Sequence, residues 1–126
     1  MEKKIIRTDN APAPIGPYNQ AVMAGNMLFI SGQIPIDPAT NELVQGDIKA
    51  EAKKVMENLQ AILTEAGMDF SHVVKTSIFL MDMGNFADVN EVYGNYFKAD
   101  APARETVQVS GLPKGVRVEI SMIAVR

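Results

Sequence analysis

The spacing of apolar residues divides the chain into alternating strand-like and helix-like stretches. AVMAGNMLFISGQIPI, residues 21–36, holds two short apolar runs around Gly25-Asn26, residues that accept positive φ. It predicts a β-hairpin whose second strand stops at Ser31-Gly32. The preceding DNAPAPIGPYNQ, residues 9–20, carries three of the seven prolines, which excludes helix and interior strand and predicts an ordered loop. DPATNELV reads as a further turn.

From Asp47 the period changes. Ile48, Ala52, Val55, Leu59, Ile62 and Ala66 recur every three or four positions, predicting an amphipathic helix capped by Asp47 and ended by Gly67. VVKTSIFLMD, residues 73–82, is β-branched and aromatic and reads as a buried strand. A second helix is predicted over 85–97, with Phe86, Val89, Val92, Tyr93, Tyr96 and Phe97 as its apolar stripe. ETVQVSGL and VRVEISMIAV flank Pro113-Lys114-Gly115 and predict a C-terminal hairpin. The order ββαβαββ is an α+β pattern in which two helices cover one sheet face.

Alternation in the last strand sends Val116, Val118, Ile120, Met122 and Ala124 toward the helices, and Arg117, Glu119, Ser121, Ile123 and Val125 to the other face. The second set is too apolar at one end and too charged at the other for water, so a neighbouring subunit is expected to cover it. If Leu112 faces Gly115 in the hairpin, Gln108 opposes Glu119 and Arg104 opposes Ile123. Arg104 and Glu119 then share the non-helical face, roughly 13 Å apart along the strands. A one-residue change of register would send them to opposite faces.

Composition narrows what such a domain does. The 126 residues make one domain, 1–126, with 47% hydrophobic and 21% charged residues, a globular balance. A net charge of −3 gives no electrostatic reason to expect nucleic acid or an acidic membrane as partner. The absence of cysteine removes disulfides, thiol nucleophiles and thiolate metal sites. The N-terminus lacks a signal-type apolar core and no run is long enough to span a bilayer, so a cytoplasmic location is expected.

Arg104 and Glu119 admit two readings. Each pairs with other charges, or together they offer a bidentate anchor for a substrate carboxylate and a base for water. Ser31-Gly32 either starts a turn or permits close approach of a ligand to backbone N–H. Tyr18 in the Pro-rich loop reads as a packing residue and Asn90 as a solvent-facing helix residue. His72, the only histidine, follows Ser71 without a nucleophile elbow and is read as structural. No metal site is predicted, because a lone histidine leaves only scattered carboxylates. GLPKG lacks the spacing of a phosphate loop.

IGPYNQAV, GNMLFISGQIP, FADVNEVYGNYF and PARETVQVSGLPKGVRVEISMIAVR, in that order, make the chain resemble the RidA/YjgF family of reactive intermediate deaminases from about Thr8 to its end. The resemblance implies a chorismate-mutase-like α+β fold, a homotrimer with sites at subunit interfaces, and no cofactor. It implies hydrolysis of 2-iminobutanoate and 2-iminopropanoate, released by pyridoxal-phosphate dehydratases, to 2-oxo acids and ammonia. Arg104 then matches the arginine that holds the substrate carboxylate, and Glu119 the residue that positions or activates water. Ser31, Gly32, Tyr18 and Asn90 match residues of the cleft. Thr106 stands where many members carry cysteine, at a position credited with a backbone carbonyl that orients water. Rival functions are a small-carboxylate-binding or chaperone-like oligomer and a ribonuclease or translation inhibitor, the latter disfavoured by the charge and the solitary histidine.

Overall fold

β1 (Lys3–Ile6), β2 (Ala21–Ala24) and β3 (Met27–Gln33) form an antiparallel meander in a computed structural model that describes residues 2–126. The turn between β2 and β3 has positive φ at Gly25, 61°, but not at Asn26, the arrangement of a II′ turn with glycine first. β1 carries no alternation to announce it: KKII buries only Ile6. Where the sequence predicts a turn, β4 (Ile36–Asp37) and β5 (Glu42–Leu43) form a small hairpin with Asn41 at φ 62°.

α1 (Ile48–Glu65) begins as its period predicts. Asp47 Oδ1 accepts the Ala50 N–H at 2.9 Å, and Gly67, at φ 73°, lies just beyond the end. Its buried stripe holds Val55, Met56, Leu59, Ile62 and Leu63. β6 (Val73–Leu80) follows, then α2 (Phe86–Gly94), shorter than the predicted 85–97. Tyr96 and Phe97 lie past the end of α2, each with its ring centroid 5.3 Å from that of Phe70. β7 (Ala103–Gln108) and β8 (Val118–Val125) complete the chain. Among the described residues no helix is long and apolar enough to cross a membrane.

The C-terminal hairpin does not form. The sheet order is β1-β2-β3-β8-β6-β7: β8 lies between β3 and β6, antiparallel to both, and β7 is an edge strand parallel to β6. The connection passes over the end of β6, where the Val109 N–H donates to the Leu80 carbonyl at 2.9 Å and the Met81 N–H to the Arg117 carbonyl at 3.2 Å. Burial explains the preference. VEISMIAV alternates strictly and buries Val118, Ile120, Met122 and Ala124, so it gains most from neighbours on both sides. ARETVQ buries none of its residues and suits an edge.

Both helices cover the face that carries those four residues, closing one core with Leu28, Ile30, Ile78 and Leu80. The other face, with Val22, Phe29, Phe79, Val107, Ile123 and Val125, is not covered by any of the described residues; Phe29 is 42% exposed and Val107 41%. Charge on that face comes from Glu119 and from Glu105, which pairs with Lys75 at 2.9 Å and accepts the Ser77 hydroxyl. Arg117, assigned to that face by alternation, precedes β8. It donates from its side chain to the buried Glu51 carboxylate of α1 and at 2.9 Å to the Gly46 carbonyl.

Candidate functional site

Arg104 stands on the edge strand, with Thr76 of β6 as its Cα partner and Met122 of β8 beyond. Thr76 and Met122 are buried under the helices, so Arg104 lies on the helix side. Its Nη1 donates to Asn90 Oδ1 at 2.7 Å, and its guanidinium carbon sits 5.0 Å from the Tyr93 ring centroid and 5.7 Å from that of Phe86. Phe86, Asn90 and Tyr93 are spaced i, i+4, i+7 and therefore share one face of α2. Asn90 is exposed, as the sequence reading has it, and is at the same time an orienting partner of the arginine. The Tyr93 hydroxyl donates to Thr76 Oγ1 at 3.1 Å, and burial raises its pKa.

Thr106, two residues on, faces the same side, and its buried hydroxyl has no hydrogen-bond partner among the described residues. Because the Val109 N–H points to β6, alternation turns the N–H and C=O of the even-numbered residues of β7, Thr106 included, to the open edge.

Glu119 belongs to the other face. It opposes Phe79 of β6, with Val107 beyond. Between Arg104 and Glu119 lie two strand spacings across and three residues along, about 14 Å, and the sheet itself separates their side chains. The shared face expected from a β7–β8 hairpin is therefore overturned, because β6 intervenes and resets the register.

Around Glu119 a shallow depression is lined by Ile15, Tyr18, Ser31, Gly32 and Pro113. The pairing of β3 with β8 jumps from Ile30–Met122 to Gln33–Ile120, an extra residue on β3 that makes Ser31-Gly32 a bulge. A Cβ at Gly32 would lie 2.5 Å from Glu119 Oε2 and 2.7 Å from its Cδ. The glycine thus makes room for the glutamate side chain. Partial burial raises the Glu119 pKa, and its carboxylate has no partner among the described residues.

The loop that brings Tyr18 here is held by Gln20. Its Nε2 donates to the carbonyls of Thr8, Ala11 and Pro12, and its Oε1 accepts the Thr8 N–H. Ser31 ties the bulge to the same loop, its hydroxyl donating to the Asn19 carbonyl at 2.6 Å and its N–H to the Gln20 carbonyl at 2.9 Å. That leaves the Ser31 oxygen only lone pairs for a ligand. Tyr18 stays 45% exposed, its hydroxyl accepting the Ile15 N–H, so it is a wall of the depression more than a packing residue.

His72 closes a short helical turn, its Nδ1 accepting the Asp69 N–H, while Ser71 hydrogen bonds hold the Asp69 carboxyl below its usual range. Among the described residues no three His, Asp or Glu side chains cluster as metal ligands. The sequence reading missed Gln20, Glu51 and the cradle role of Phe86 and Tyr93. Only the last had a signal, the i, i+4, i+7 spacing around Asn90.

Comparison with known proteins places these features in a family. The model of the Endoribonuclease L-PSP family matches residues 8–126. The chain is 62% identical over 127 residues to protein DfrA of Myxococcus xanthus, covering 99% of this chain and 97% of that one. It is 50% identical over 124 residues to the mouse 2-iminobutanoate/2-iminopropanoate deaminase, covering 98% and 92%. The crystal structure of Escherichia coli TdcF with bound serine superposes with a TM-score of 0.93 at 45% identity, over 98% of both chains. With its match running through both halves of the site, the chain belongs to the Endoribonuclease L-PSP family, also called RidA/YjgF.

Proposed function

We propose that the protein is a hydrolytic deaminase of small 2-imino acids, converting 2-iminobutanoate and 2-iminopropanoate to 2-oxo acids and ammonia. The observation that carries this reading is the pair of half-sites: an oriented guanidinium at an open sheet edge, and an unpaired, raised carboxyl above a glycine bulge on the opposite face. Neither is complete alone. The apolar sheet face beside Glu119 offers the contact that joins copies, so that Arg104 of one subunit meets Glu119 of the next, in a homotrimer as the resemblance implies. The deaminase name of the mouse relative and the serine bound by TdcF favour a small carboxylate-bearing substrate.

Arg104 holds the substrate carboxylate through a planar fork. Glu119 and the Thr106 carbonyl hold a water against C2. As the water oxygen bonds to C2, the C=N π pair moves to nitrogen, and Glu119 takes the water proton. Glu119 passes that proton to the nitrogen, giving the neutral carbinolamine, and then takes the hydroxyl proton as the O–H electrons form the 2-oxo group. The C–N bond breaks, and Glu119 hands this second proton to the departing nitrogen, releasing ammonia. A carboxyl whose pKa is raised by burial is suited to both transfers. Tyr18, Ser31 and Gly32 shape the wall against which the reacting carbon rests. The net charge of −3 gives no electrostatic support to the ribonuclease description of the family model.

A threonine dehydratase reaction, followed by 2-oxobutanoate formation, tests this reading. Arg104→Ala and Glu119→Ala each remove the acceleration. Refolded together as equal mixtures, they regain about one quarter of wild-type activity, because random assembly gives that share of interfaces with both groups intact. No recovery would show that the two groups do not work across one interface, and full activity in Glu119→Ala would show that its carboxylate does not assist the water.

A further inference from the structure

Arg104 is a long side chain on an edge strand, where a guanidinium normally samples many rotamers. Here it has one pose with two kinds of constraint. Asn90 engages Nη1, and the Tyr93 and Phe86 rings lie within cation–π distance of the guanidinium. Nε and Nη2 have no partner among the described residues, so the Nε–Nη2 edge is the free side of the fork.

Tyr93 is itself pinned. Its ring is 6% exposed, its centroid is 4.7 Å from that of Phe97, and its hydroxyl donates to Thr76, the residue beside Arg104 on β6. The contacts close a ring from β7 to α2 to β6 and back to β7. A shift of α2 against the sheet would therefore rotate the guanidinium.

We infer that Tyr93, supported by Phe86, is a positioning residue that holds the Arg104 guanidinium with its Nε–Nη2 edge presented to the substrate carboxylate. This rests on the reading of Arg104 as the carboxylate anchor. The aromatic cradle confines the arginine before substrate arrives, so less freedom is lost on binding. It touches neither the water nor the reacting carbon, so its removal acts on binding more than on turnover.

The test measures KM and kcat in the dehydratase-coupled assay and, separately, the Kd of 2-oxobutanoate by calorimetry. Tyr93→Leu removes the ring and raises KM and Kd about tenfold, with kcat within about threefold of wild type. Tyr93→Phe keeps the ring and stays within about twofold in Kd, although its Tm falls because the Thr76 hydroxyl loses its partner. Phe86→Leu, at a position 36% exposed where folding is not at stake, raises Kd about threefold.

Unchanged Kd in Phe86→Leu and in folded Tyr93→Leu would overturn the inference. So would equal loosening by Tyr93→Phe and Tyr93→Leu, which would mark a merely structural role. Arg104→Ala separates the two levels: if it leaves Kd unchanged, the anchor reading fails. If it abolishes binding while the aromatic variants do nothing, only the positioning role fails.

Discussion

Gly32→Ala is a small change whose effect should reach the chemistry through Glu119. The added Cβ would meet Glu119 Oε2 at 2.5 Å, Cδ at 2.7 Å and Cγ at 2.9 Å, where ordinary contact begins at 3.4 Å. The backbone at Gly32 is not in the left-handed region, so alanine carries no conformational penalty there. It lowers the entropy of the unfolded chain, which favours folding by about 0.4–1 kcal/mol. Glu119 is flexible and its carboxylate has no hydrogen bond to lose, so it yields. It must move by about 1 Å, a displacement that costs on the order of 10²-fold in rate when it strikes a group poised on the reacting atoms. That is about 2.7 kcal/mol of transition-state stabilisation. Tm should therefore hold while kcat falls about a hundredfold and KM, which the proposed function assigns to Arg104, changes little. In a Glu119→Ala background the same Gly32→Ala change should add less than about a threefold loss, because the displaced group is already gone. A hundredfold loss in both backgrounds would refute the argument, and so would near-normal kcat in the folded single variant.

Three further outcomes follow from the same geometry. Burial raises the folded-state pKa of Glu119, so the stability tied to its proton is full below the unfolded value of about 4.3 and is lost as pH rises through the folded pKa. Glu119→Gln should match wild-type Tm at low pH, exceed it increasingly as pH rises through that window and by a steady margin above it, while losing activity; a constant Tm difference across the whole pH range would contradict this. For the Glu51–Arg117 pair, loss of the arginine strands a carboxylate that is 7% exposed, at about 3–5 kcal/mol. Loss of the glutamate frees an arginine that turns to water, at about 1–3 kcal/mol; chemical denaturation of Arg117→Ala and Glu51→Ala should rank them in that order. Phe29→Asp places a charge in the uncovered apolar face and should yield monomers by sedimentation, with a far-UV spectrum unchanged.

The sequence was legible where one local signal dominated. Asp47, the 3.6 period and Gly67 mark α1, and Gly25-Asn26 marks the first turn. The strict alternation of VEISMIAV correctly names which residues face the helices. What it does not reveal is which strand lies beside which. Pro113-Lys114-Gly115 forms a turn with positive φ at Lys114 and Gly115, as a hairpin would, yet the strands it links are separated by β6. Turn chemistry describes the chain's local reversal, whereas pairing depends on the apolar area β8 buries between β3 and β6, a non-local term. Gln20 and Glu51 were invisible for a related reason. Each is a polar residue that is buried because it satisfies backbone groups or a charge distant in sequence.

The observed strand order also changes what the candidate site must be. With both groups on one face, a single chain could hold substrate and water and assembly would be incidental. With the sheet between them, Arg104 looks outward from the edge beneath α2, and Glu119 looks out from the uncovered face. Under the proposed chemistry one molecule a few ångströms long must touch both, and about 14 Å of protein cannot be crossed by such a substrate. Arg104 and Glu119 must then come from different copies. Exposure of Phe29 and Val107 on the same face as Glu119 gives those copies a reason to associate. Assembly and catalysis are thereby coupled: a substitution that weakens the sheet-face contact should remove activity in proportion to the fraction of monomer, even with every site residue intact.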